Sequence, residues 1–387
     1  MSAASRGDAA TPLTRYLSLA DLDDATIERL LARARALERE PSSDVLRGRV
    51  LGLVFLNPSL RTLASFQAGM AQLGGSSFVL TPGQGTWQLE TRAGVVMDGT
   101  AAEHVREAIP VLGEYADALG LRCFAAGRDA DEDWSEPVLS AFAAHATRPL
   151  INLESAFDHP CQALGDWKTL DDLGVPRAGG RFVLTWAWHP QPLPQAVPAA
   201  VLHMAARRGM DVTLLHPPGF ELHEPALARA RAAAAAAGGS LIVAADRGEA
   251  ESRRALAGAH VVYAKSWRAG AAYGDARAEA QLRAPLRSWC VREEWFGGAA
   301  RDAVFMHCLP VRRNVVVADE VLDGPRSVVV RQAGNRLHVQ KAVLLEMLAP
   351  HAPVAAAHRG TARAGGVGDQ VVGDRRGPTH SSSRSRP

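Results

Sequence analysis

The sequence predicts an α/β protein with two doubly wound parallel-sheet domains and an active site in the cleft between them. Apolar runs of strand length alternate with helical stretches along most of the 387 residues, which is typical of parallel sheets with crossover helices. This alternation restarts after the turn-rich segment at 174–180, which indicates two such units. Hydrophobic residues make up 47% of the chain, enough to fill two cores.

The first half opens with an amphipathic helix predicted over residues 21–40, for which Asp23 or Asp24 is the candidate N-cap. Its apolar face consists of Ile27, Leu30, Leu31, Ala34 and Leu37. The elements predicted next are a strand at 48–56, a helix at 62–72, a strand at 76–80, a helix at 102–119 that Pro110 bends or breaks, and strands at 120–124 and 148–154.

The second half repeats the pattern. Strands are predicted at 181–188, 211–216, 240–245, 260–264 and 303–309, with an alanine-rich helix at 224–237 and a last helix at 335–349. We therefore expect a first domain at 1–155 that the helix at 335–350 completes, and a second domain at 156–334. Residues 352–387 are rich in Gly, Ser and Arg, and we expect them to be disordered because they lack apolar surface to bury.

Composition excludes several classes of function. A formal net charge of +2 gives no general attraction to nucleic acid or to an anionic membrane, so any anion site must be local. The four cysteines form no CxxC pair, which argues against a zinc site and a disulfide framework. The sequence shows neither a signal-peptide pattern nor an apolar run long enough for a membrane span. We expect a cytoplasmic protein that uses no metal and no cofactor.

The segment Ser59-Leu60-Arg61-Thr62 follows a predicted strand and opens a helix. A helix N-terminus with unpaired N–H groups, two hydroxyls and a guanidinium suits a phosphate group. A capped helix with a surface arginine is an equally good interpretation of this segment alone. Arg122 ends another predicted strand, where it faces either solvent or the same crevice, because ligands of open α/β sheets bind beyond the carboxyl ends of the strands.

Two histidine-led tetrapeptides follow other predicted strands. In HPCQ, His159 can donate to an oxygen and Gln162 can both donate and accept. In HCLP, Pro310 is expected to hold Leu309 extended, which leaves the carbonyls of Cys308 and Leu309 free. We interpret Cys308 as a small apolar residue and not a nucleophile, because nothing in the sequence near it indicates a lowered pKa. Each motif alone has an ordinary structural explanation, but their joint occurrence at strand ends favours a site.

Taken in order, these motifs resemble the transcarbamoylase family, the aspartate and ornithine carbamoyltransferases. The S-x-R-T carbamoyl-phosphate loop, the strand-end arginine, H-P-x-Q, H-C-L-P and the arginine of the last helix all have counterparts between about residues 15 and 350. The resemblance implies that carbamoyl phosphate is bound by Ser59, Leu60, Arg61, Thr62, Arg122, His159, Gln162, Leu309 and Arg336. Catalysis would rest on Arg61, Thr62, Arg122, His159 and Gln162. One departure is Leu63, where the family usually has a second loop arginine.

Further stretches, among them TWQLETRAGVVMDG at 86–99 and YAKSW at 263–267, resemble the branch that acts on N-acetylated or N-succinylated ornithine. Enzymes for free ornithine place an acid where this chain has Lys265, and a lysine repels an α-ammonium but tolerates an α-amide. The resemblance implies an acceptor site made of Trp87, Glu154, His189, Lys265, Cys308, Leu309 and Arg312. It also implies a homotrimer in which Trp87 reaches the active site of a neighbouring subunit.

The sequence leaves the acyl group open. Ala101 and Ala102 leave room for succinyl, and Arg312 or Arg313 can supply the charge that it needs, whereas Val316 replaces a lysine of the acetyl-type members. Two rival functions also remain open. One is an ornithine carbamoyltransferase acting on free ornithine. The other is a catalytically silent paralogue that only binds ligands, and it stays open because Leu63 replaces the family's second loop arginine.

Overall fold

The computed structural model describes residues 12–245 and 254–352, and this part of the chain contains two five-stranded parallel sheets. The first sheet has the order β1-β7-β6-β2-β3 and the second β10-β9-β8-β11-β12, while β4 and β5 pair separately. The strands are β1 Arg15–Tyr16, β2 Val50–Phe55, β3 Ser76–Leu80, β4 Gln88–Glu90, β5 Ala101–His104, β6 Ala118–Arg122, β7 Leu150–Glu154, β8 Arg181–Trp186, β9 Asp211–His216, β10 Ser240–Ala245, β11 Val261–Lys265 and β12 Val304–Met306. The α/β class with two parallel sheets is confirmed.

Helices connect these strands. They are α1 Asp24–Arg39, α2 Leu60–Gln72, α3 Val105–Tyr115, α4 Ala130–Trp134, α5 Pro137–His145, α6 Pro160–Asp172, α7 Ala196–Arg207 and α8 Glu224–Ala237, followed by helices at Ala276–Arg283 and Asp319–Leu322. A C-terminal helix spans Val329–Leu348. The predicted disorder of residues 352–387 concerns a segment that lies, beyond Ala352, outside the described residues.

Local capping explains where the first helices begin. The Asp23 carboxylate accepts the Thr26 N–H at 2.7 Å and starts α1, whose buried face is the predicted set of five apolar residues. The Ser59 hydroxyl accepts the Thr62 N–H at 3.3 Å and starts α2 directly after β2. Both helices therefore begin where the sequence indicates.

The predicted helix at 102–119 is wrong at both ends. Its first residues form β5 and its last residues belong to β6, so only Val105–Tyr115 is helical. Pro110 does not break this helix, because the Arg106 carbonyl that it leaves without a donor belongs to an exposed residue that water can reach. The short elements β1, β4, β5, α4 and α5 are absent from the sequence prediction.

The C-terminal helix begins at Val329, six residues before the predicted start. Its first turns contain β-branched residues that favour strand locally. However, Val329 packs into an apolar core beside the second sheet, and Gln332 is fully buried. Arg336 therefore lies in the interior of this helix and does not open it. Tertiary packing has overridden a weak local preference.

Helix α6 and the C-terminal helix lie close together at Gly165. A Cβ atom at this position would come within 3.2 Å of the Arg336 Cγ and 3.6 Å of its Cα. Thr169 and Lys168 of α6 also contact Asn335, at 2.9 and 3.0 Å. Because Gly165 has no side chain, the backbones of α6 and of the C-terminal helix can approach closely at Arg336.

Two absences hold for the described ranges. No helix there is both long and apolar enough to cross a membrane. The same residues contain no group of three or more His, Cys, Asp or Glu side chains placed to hold a metal ion. The four cysteine thiols are buried and unbonded to one another.

We predict opposite effects for the same substitution at two glycines. Gly52→Ala places a Cβ 2.8 Å from Leu119 and 2.9 Å from Phe78 in the centre of the first sheet, so it should lower the free energy of unfolding. The expected loss is about 1–3 kcal/mol. Gly334→Ala meets nothing within 4 Å on an exposed face of the C-terminal helix, and should raise this free energy by up to about 1 kcal/mol.

Urea denaturation of the two variants beside the unchanged protein measures both effects. A Gly52→Ala variant as stable as the parent would show that β2 is not packed as described.

Candidate active site

The residues singled out in the sequence lie at the switch point of the first sheet. After β2 the chain moves to β3 on one side, and β6 returns on the other side of β2, so a crevice opens between the ends of β2 and β6. Phe55 pairs with Arg122 at this edge. The segment Ser59–Thr62 follows β2, and Arg122 ends β6. Both predicted anion-binding elements therefore meet at one place.

Three guanidinium groups converge there. Burial lowers the pKa of Arg61 and of Arg336, and the charge of Arg122 lowers both pKa values further. Arg336 Nη2 donates to the hydroxyl of Thr62, the residue after Arg61, at 2.7 Å, and the charge of Arg61 also lowers the pKa of Arg336. Each of the three has a buried Nε atom with no acceptor in the part of the chain that the structure describes. The cluster thus offers unused donors and an excess of positive charge.

Glu154 is the carboxylate that faces this cluster. A bulge between β6 and β7 places Arg122 opposite Glu154, and the two side chains form a buried ion pair. Glu154 Oε2 also lies 3.5 Å from His159 Nε2. Glu154 was assigned to the acceptor site from the sequence, and the structure places it against two residues of the predicted carbamoyl-phosphate site. One carboxylate therefore partly neutralises three arginines.

His159 is the residue just before α6 and is fully enclosed. Burial lowers its pKa well below the usual value, and the charges of Arg336, Arg122 and Arg61 lower it further. The ring is therefore neutral at physiological pH and can act as a hydrogen-bond donor without carrying charge. Its Nδ1 atom is buried and has no partner among the described residues.

Thr62 connects α2 to the C-terminal helix. Its hydroxyl oxygen accepts from Arg336 Nη2 at 2.7 Å, and both side chains are buried. The hydroxyl proton remains available to donate to a ligand. Leu60 is 80% exposed, so only its backbone can serve a site here. Leu63 is half-buried and packs against the main core, so its side chain is used for packing.

The HCLP segment differs from its prediction. Strand β12 ends at Met306, and Leu309 has φ +56°, a left-handed conformation that contradicts the extended one expected before Pro310. A turn causes this difference, because His307 Nδ1 accepts the Leu309 N–H at 2.9 Å. The carbonyls of Cys308 and Leu309 accept no hydrogen bond from the described residues, as expected. Burial raises the pKa of Cys308, so its thiol stays protonated near neutral pH.

The second sheet has its own switch point, between β8 and β11. Lys265 ends β11 opposite Trp186, and His189 follows β8. His189 Nε2 accepts from Arg312 Nε at 3.1 Å. The charge of Lys265 lowers the pKa of His159, just before α6, and opposes the rise that burial causes in the pKa of Cys308. This edge of the second sheet therefore lies near the arginine cluster.

Two residues considered for the acyl group have other roles. Arg313 forms ion pairs with Asp319 at 2.8 Å and Asp323 at 2.7 Å. Arg312 is exposed, and within the described ranges its side chain hydrogen-bonds His189 and no carboxylate. Val316 is buried in the core of the second lobe and cannot line an open pocket. Of the two candidate arginines, Arg312 is therefore the available one.

Trp87 is the predicted site residue that the fold does not bring to the others. Its side chain is 60% exposed, and its Nε1 donates to Glu103 at 2.7 Å. It directly precedes β4, whose Gln88 pairs with Ala101 of β5. Trp87 and the small Ala101 and Ala102 thus lie on or beside one two-stranded parallel unit, formed by β4 and β5.

Sequence reasoning missed two buried residues near the site, Asp166 and Gln332. Asp166 accepts from Gln162 Nε2 at 2.8 Å and from Gln332 Nε2 at 2.7 Å. An acid four residues after Gln162 was a signal, since such spacing on a helix places both side chains on one face. Gln332 gave no signal, because the helix that carries it was predicted to start later.

Comparisons with known proteins agree with this geometry. Residues 15–172 match the model of the aspartate/ornithine carbamoyltransferase carbamoyl-P binding domain, and residues 195–347 match that of the Asp/Orn binding domain. The N-acetylornithine carbamoyltransferase of Xanthomonas campestris pv. campestris is 40% identical over 344 residues, which cover 88% of this chain and 99% of the relative.

Two further proteins are similar over comparable lengths. The N-succinylornithine carbamoyltransferase of Bacteroides thetaiotaomicron is 36% identical over 87% of this chain and 98% of its own length. A crystal structure of acetylornithine transcarbamylase complexed with acetylcitrulline has a TM-score of 0.83 at 40% identity, and covers 87% of this chain and 99% of that one. The chain therefore belongs to the aspartate/ornithine carbamoyltransferase family.

Proposed function

We propose that this protein transfers the carbamoyl group of carbamoyl phosphate to the δ-amine of an N-acylated ornithine, giving an N-acylcitrulline and phosphate in arginine biosynthesis. The observation that carries the proposal is the meeting of Arg61 and Arg122, from the ends of β2 and β6, with Arg336 of the C-terminal helix. Such a cluster suits a doubly charged phosphate group. The names of the relatives at 36–40% identity indicate carbamoyl transfer to N-acylornithines.

Carbamoyl phosphate binds first. Its phosphate group takes hydrogen bonds from the three arginines, from Ser59 and from the first N–H groups of α2. Thr62, Arg122 and His159 donate to the carbamoyl oxygen, which gains charge as the carbonyl becomes tetrahedral. One donor placed in this way is worth about 3 kcal/mol in the transition state.

The reacting amines are held by acceptors. Gln162 and the Leu309 carbonyl bind the carbamoyl amine, and the carbonyls of Cys308 and Leu309 orient the neutral δ-amine for attack. Phosphate then leaves and can accept the proton of the amine, so the mechanism needs no protein general base. Glu154, His189, Lys265 and Arg312 line the acceptor side, with Trp87 contributed by a neighbouring subunit.

The domain assignment and the assembly belong to the same proposal. The two sheets support a carbamoyl-phosphate domain at 1–155 completed by 335–350, and an acceptor domain at 156–334. The exposed Trp87, together with exposed Leu60 and Val96 on the same lobe, supports a trimer with shared active sites. The cytoplasmic location remains a prediction from the sequence.

Both acyl groups remain candidates. Succinyl carries a second carboxylate, for which the exposed Arg312 is available while Arg313 is paired. Ala101 and Ala102 lie beside Trp87 on the β4–β5 unit. A neighbouring subunit that contributes Trp87 to the acceptor site therefore also brings these two small residues, which leave room for the succinyl group.

Arg336→Met should weaken the binding of inorganic phosphate roughly 10- to 100-fold, because it removes a buried charged donor. The matched control is Arg331→Met on the same helix, where the arginine is exposed and, among the described residues, its side chain hydrogen-bonds the Asp172 carbonyl alone, at 3.3 Å. Titration calorimetry with phosphate measures both. Equal phosphate affinity in the two variants would disprove the anion site.

Acceptor preference is tested by offering ornithine, N-acetylornithine and N-succinylornithine at equal concentration. We expect kcat/KM for an acylated acceptor to exceed that for ornithine by at least about tenfold, because Lys265 repels a free α-ammonium. A preference for ornithine would support the rival ornithine carbamoyltransferase. Phosphate binding without turnover of any acceptor would support the silent paralogue.

Shared sites are tested with two inactive variants, Trp87→Ala and Arg336→Met. Trimers reassembled from an equal mixture should regain about a quarter of wild-type activity. A site is intact only when one subunit carries the unchanged Arg336 and its neighbour carries the unchanged Trp87, and each condition holds in half of the cases. The variants mixed without dissociation are the control. No recovery in mixed trimers would place Trp87 outside the neighbouring active site.

A further inference from the structure

Asp166 is a carboxylate that no assigned step of the reaction uses. It lies in the middle of α6 and is fully buried between α6, β11 and the C-terminal helix. A single oxygen, Oδ1, accepts hydrogen bonds from Gln162 Nε2 at 2.8 Å and from Gln332 Nε2 at 2.7 Å. A buried carboxyl is costly, so its retention here calls for a specific role.

The first of these bonds fixes which way Gln162 faces. A carboxylate oxygen only accepts, so the Gln162 side chain must present its NH₂ group to Asp166 and direct Oε1 elsewhere. That Oε1 atom is buried and has no donor among the described residues. It is the atom required to accept from the amine of a carbamoyl group. A flipped amide would offer a donor there and would repel that amine.

The second bond fixes the HCLP segment. With its NH₂ group on Asp166, Gln332 has its Oε1 free to accept the His307 N–H, at 3.0 Å. His307 Nδ1 in turn accepts the Leu309 N–H at 2.9 Å. This chain of bonds orients the backbone whose Cys308 and Leu309 carbonyls point away from any partner in the described chain.

The arrangement does not depend on the charge of the carboxyl. Burial raises the pKa of Asp166 to about 7, against the opposing effect of the hydrogen bonds from Gln332 and Gln162. The other oxygen, Oδ2, makes no hydrogen bond with the described residues, although the Tyr263 hydroxyl lies near the carboxyl and acts to lower its pKa. A proton can therefore reside on Oδ2 while Oδ1 still accepts both amides.

We propose that Asp166 and Gln332 are positioning residues that set, through one shared oxygen, the orientation of the Gln162 amide and of the 307–309 backbone. Asp166 thereby aligns the group that holds the carbamoyl amine with the carbonyls that hold the attacking amine. This inference rests on the proposed carbamoyl transfer. It adds two residues that touch neither substrate and act only through their neighbours.

The experiment compares the dissociation constants of carbamoyl phosphate and inorganic phosphate. The ratio isolates the carbamoyl contacts, since both ligands use the same arginines. Asp166→Leu should reduce the preference for carbamoyl phosphate about tenfold while phosphate affinity stays within about twofold. A purely structural loss would weaken both ligands together. An unchanged preference would overturn the proposal.

A double-mutant cycle shows whether Asp166 acts through Gln162. Gln162→Leu should lower the preference by a similar factor, and Asp166→Leu added to it should have little further effect. Independent, multiplying effects would contradict the proposal. Asp166→Asn retains an acceptor oxygen and should keep most of the preference, so a loss as large as that of Asp166→Leu would also contradict it.

The matched control is Thr169→Val on the same helix. Thr169 is buried and accepts from Asn335 of the C-terminal helix at 2.9 Å, but it has no contact with Gln162 or Gln332. This variant loses one hydrogen bond between the same two helices and should keep the ligand preference. If it behaves like Asp166→Leu, the effect comes from helix packing and the proposal fails.

Gln332→Met tests whether Gln332 orients the 307–309 backbone, and it is informative even where Asp166→Leu does not fold. It leaves Asp166 and Gln162 in contact but frees the His307 N–H. We expect kcat/KM for the N-acylornithine to fall about tenfold with unchanged phosphate affinity. A wild-type kcat/KM for the N-acylornithine would show that Gln332 does not act as a positioning residue.

A wild-type protein that shows no preference for carbamoyl phosphate over phosphate would instead overturn the proposed function itself, and the inference with it.

Discussion

The fold must hold three guanidinium groups in one largely buried place, and most of the site depends on how it does so. Like charges repel strongly where water is excluded, and each buried arginine also loses hydration. Only one carboxylate, Glu154, pairs with this cluster among the described residues, and it is bonded to Arg122. The compensation is therefore incomplete. A cluster of this kind favours a doubly charged anion, which supplies the missing negative charge and acceptors together.

Topology brings these groups together from distant parts of the chain. Parallel strands end at a common edge, so side chains after β2, β6 and β7 reach the same crevice. The third arginine has to come from elsewhere, and the C-terminal helix supplies it through the contact of Arg336 with Thr62, 274 positions apart. Gly165 on α6 leaves space for that helix. Rigid elements, and not loops, thus carry most of the anion-binding groups.

The acceptor side is built differently. Its polar groups are backbone carbonyls and long side chains at the edge of the second sheet, and their orientation depends on hydrogen bonds to other residues. Amide side chains can present either a donor or an acceptor, so a buried carboxyl that accepts from two of them removes the ambiguity. A buried polar network of this kind favours a single arrangement of the residues around it.

The sequence by itself determined the α/β class and the positions of the main strands along the chain, and it indicated the residues proposed for the anion site. These features follow from hydrophobic periodicity and from short motifs with local signals, such as the cap at Ser59. Only the tertiary structure decided the ends of α3, the early start of the C-terminal helix and the left-handed Leu309. It alone revealed the pairing of Glu154 with Arg122 and the link from Asp166 to Gln332. The physical reason is that most of these features depend on contacts between residues far apart in sequence, which outweigh local propensities of a few tenths of a kcal/mol, roughly, per residue. Leu309 is the exception, because its conformation follows from a turn with the nearby His307.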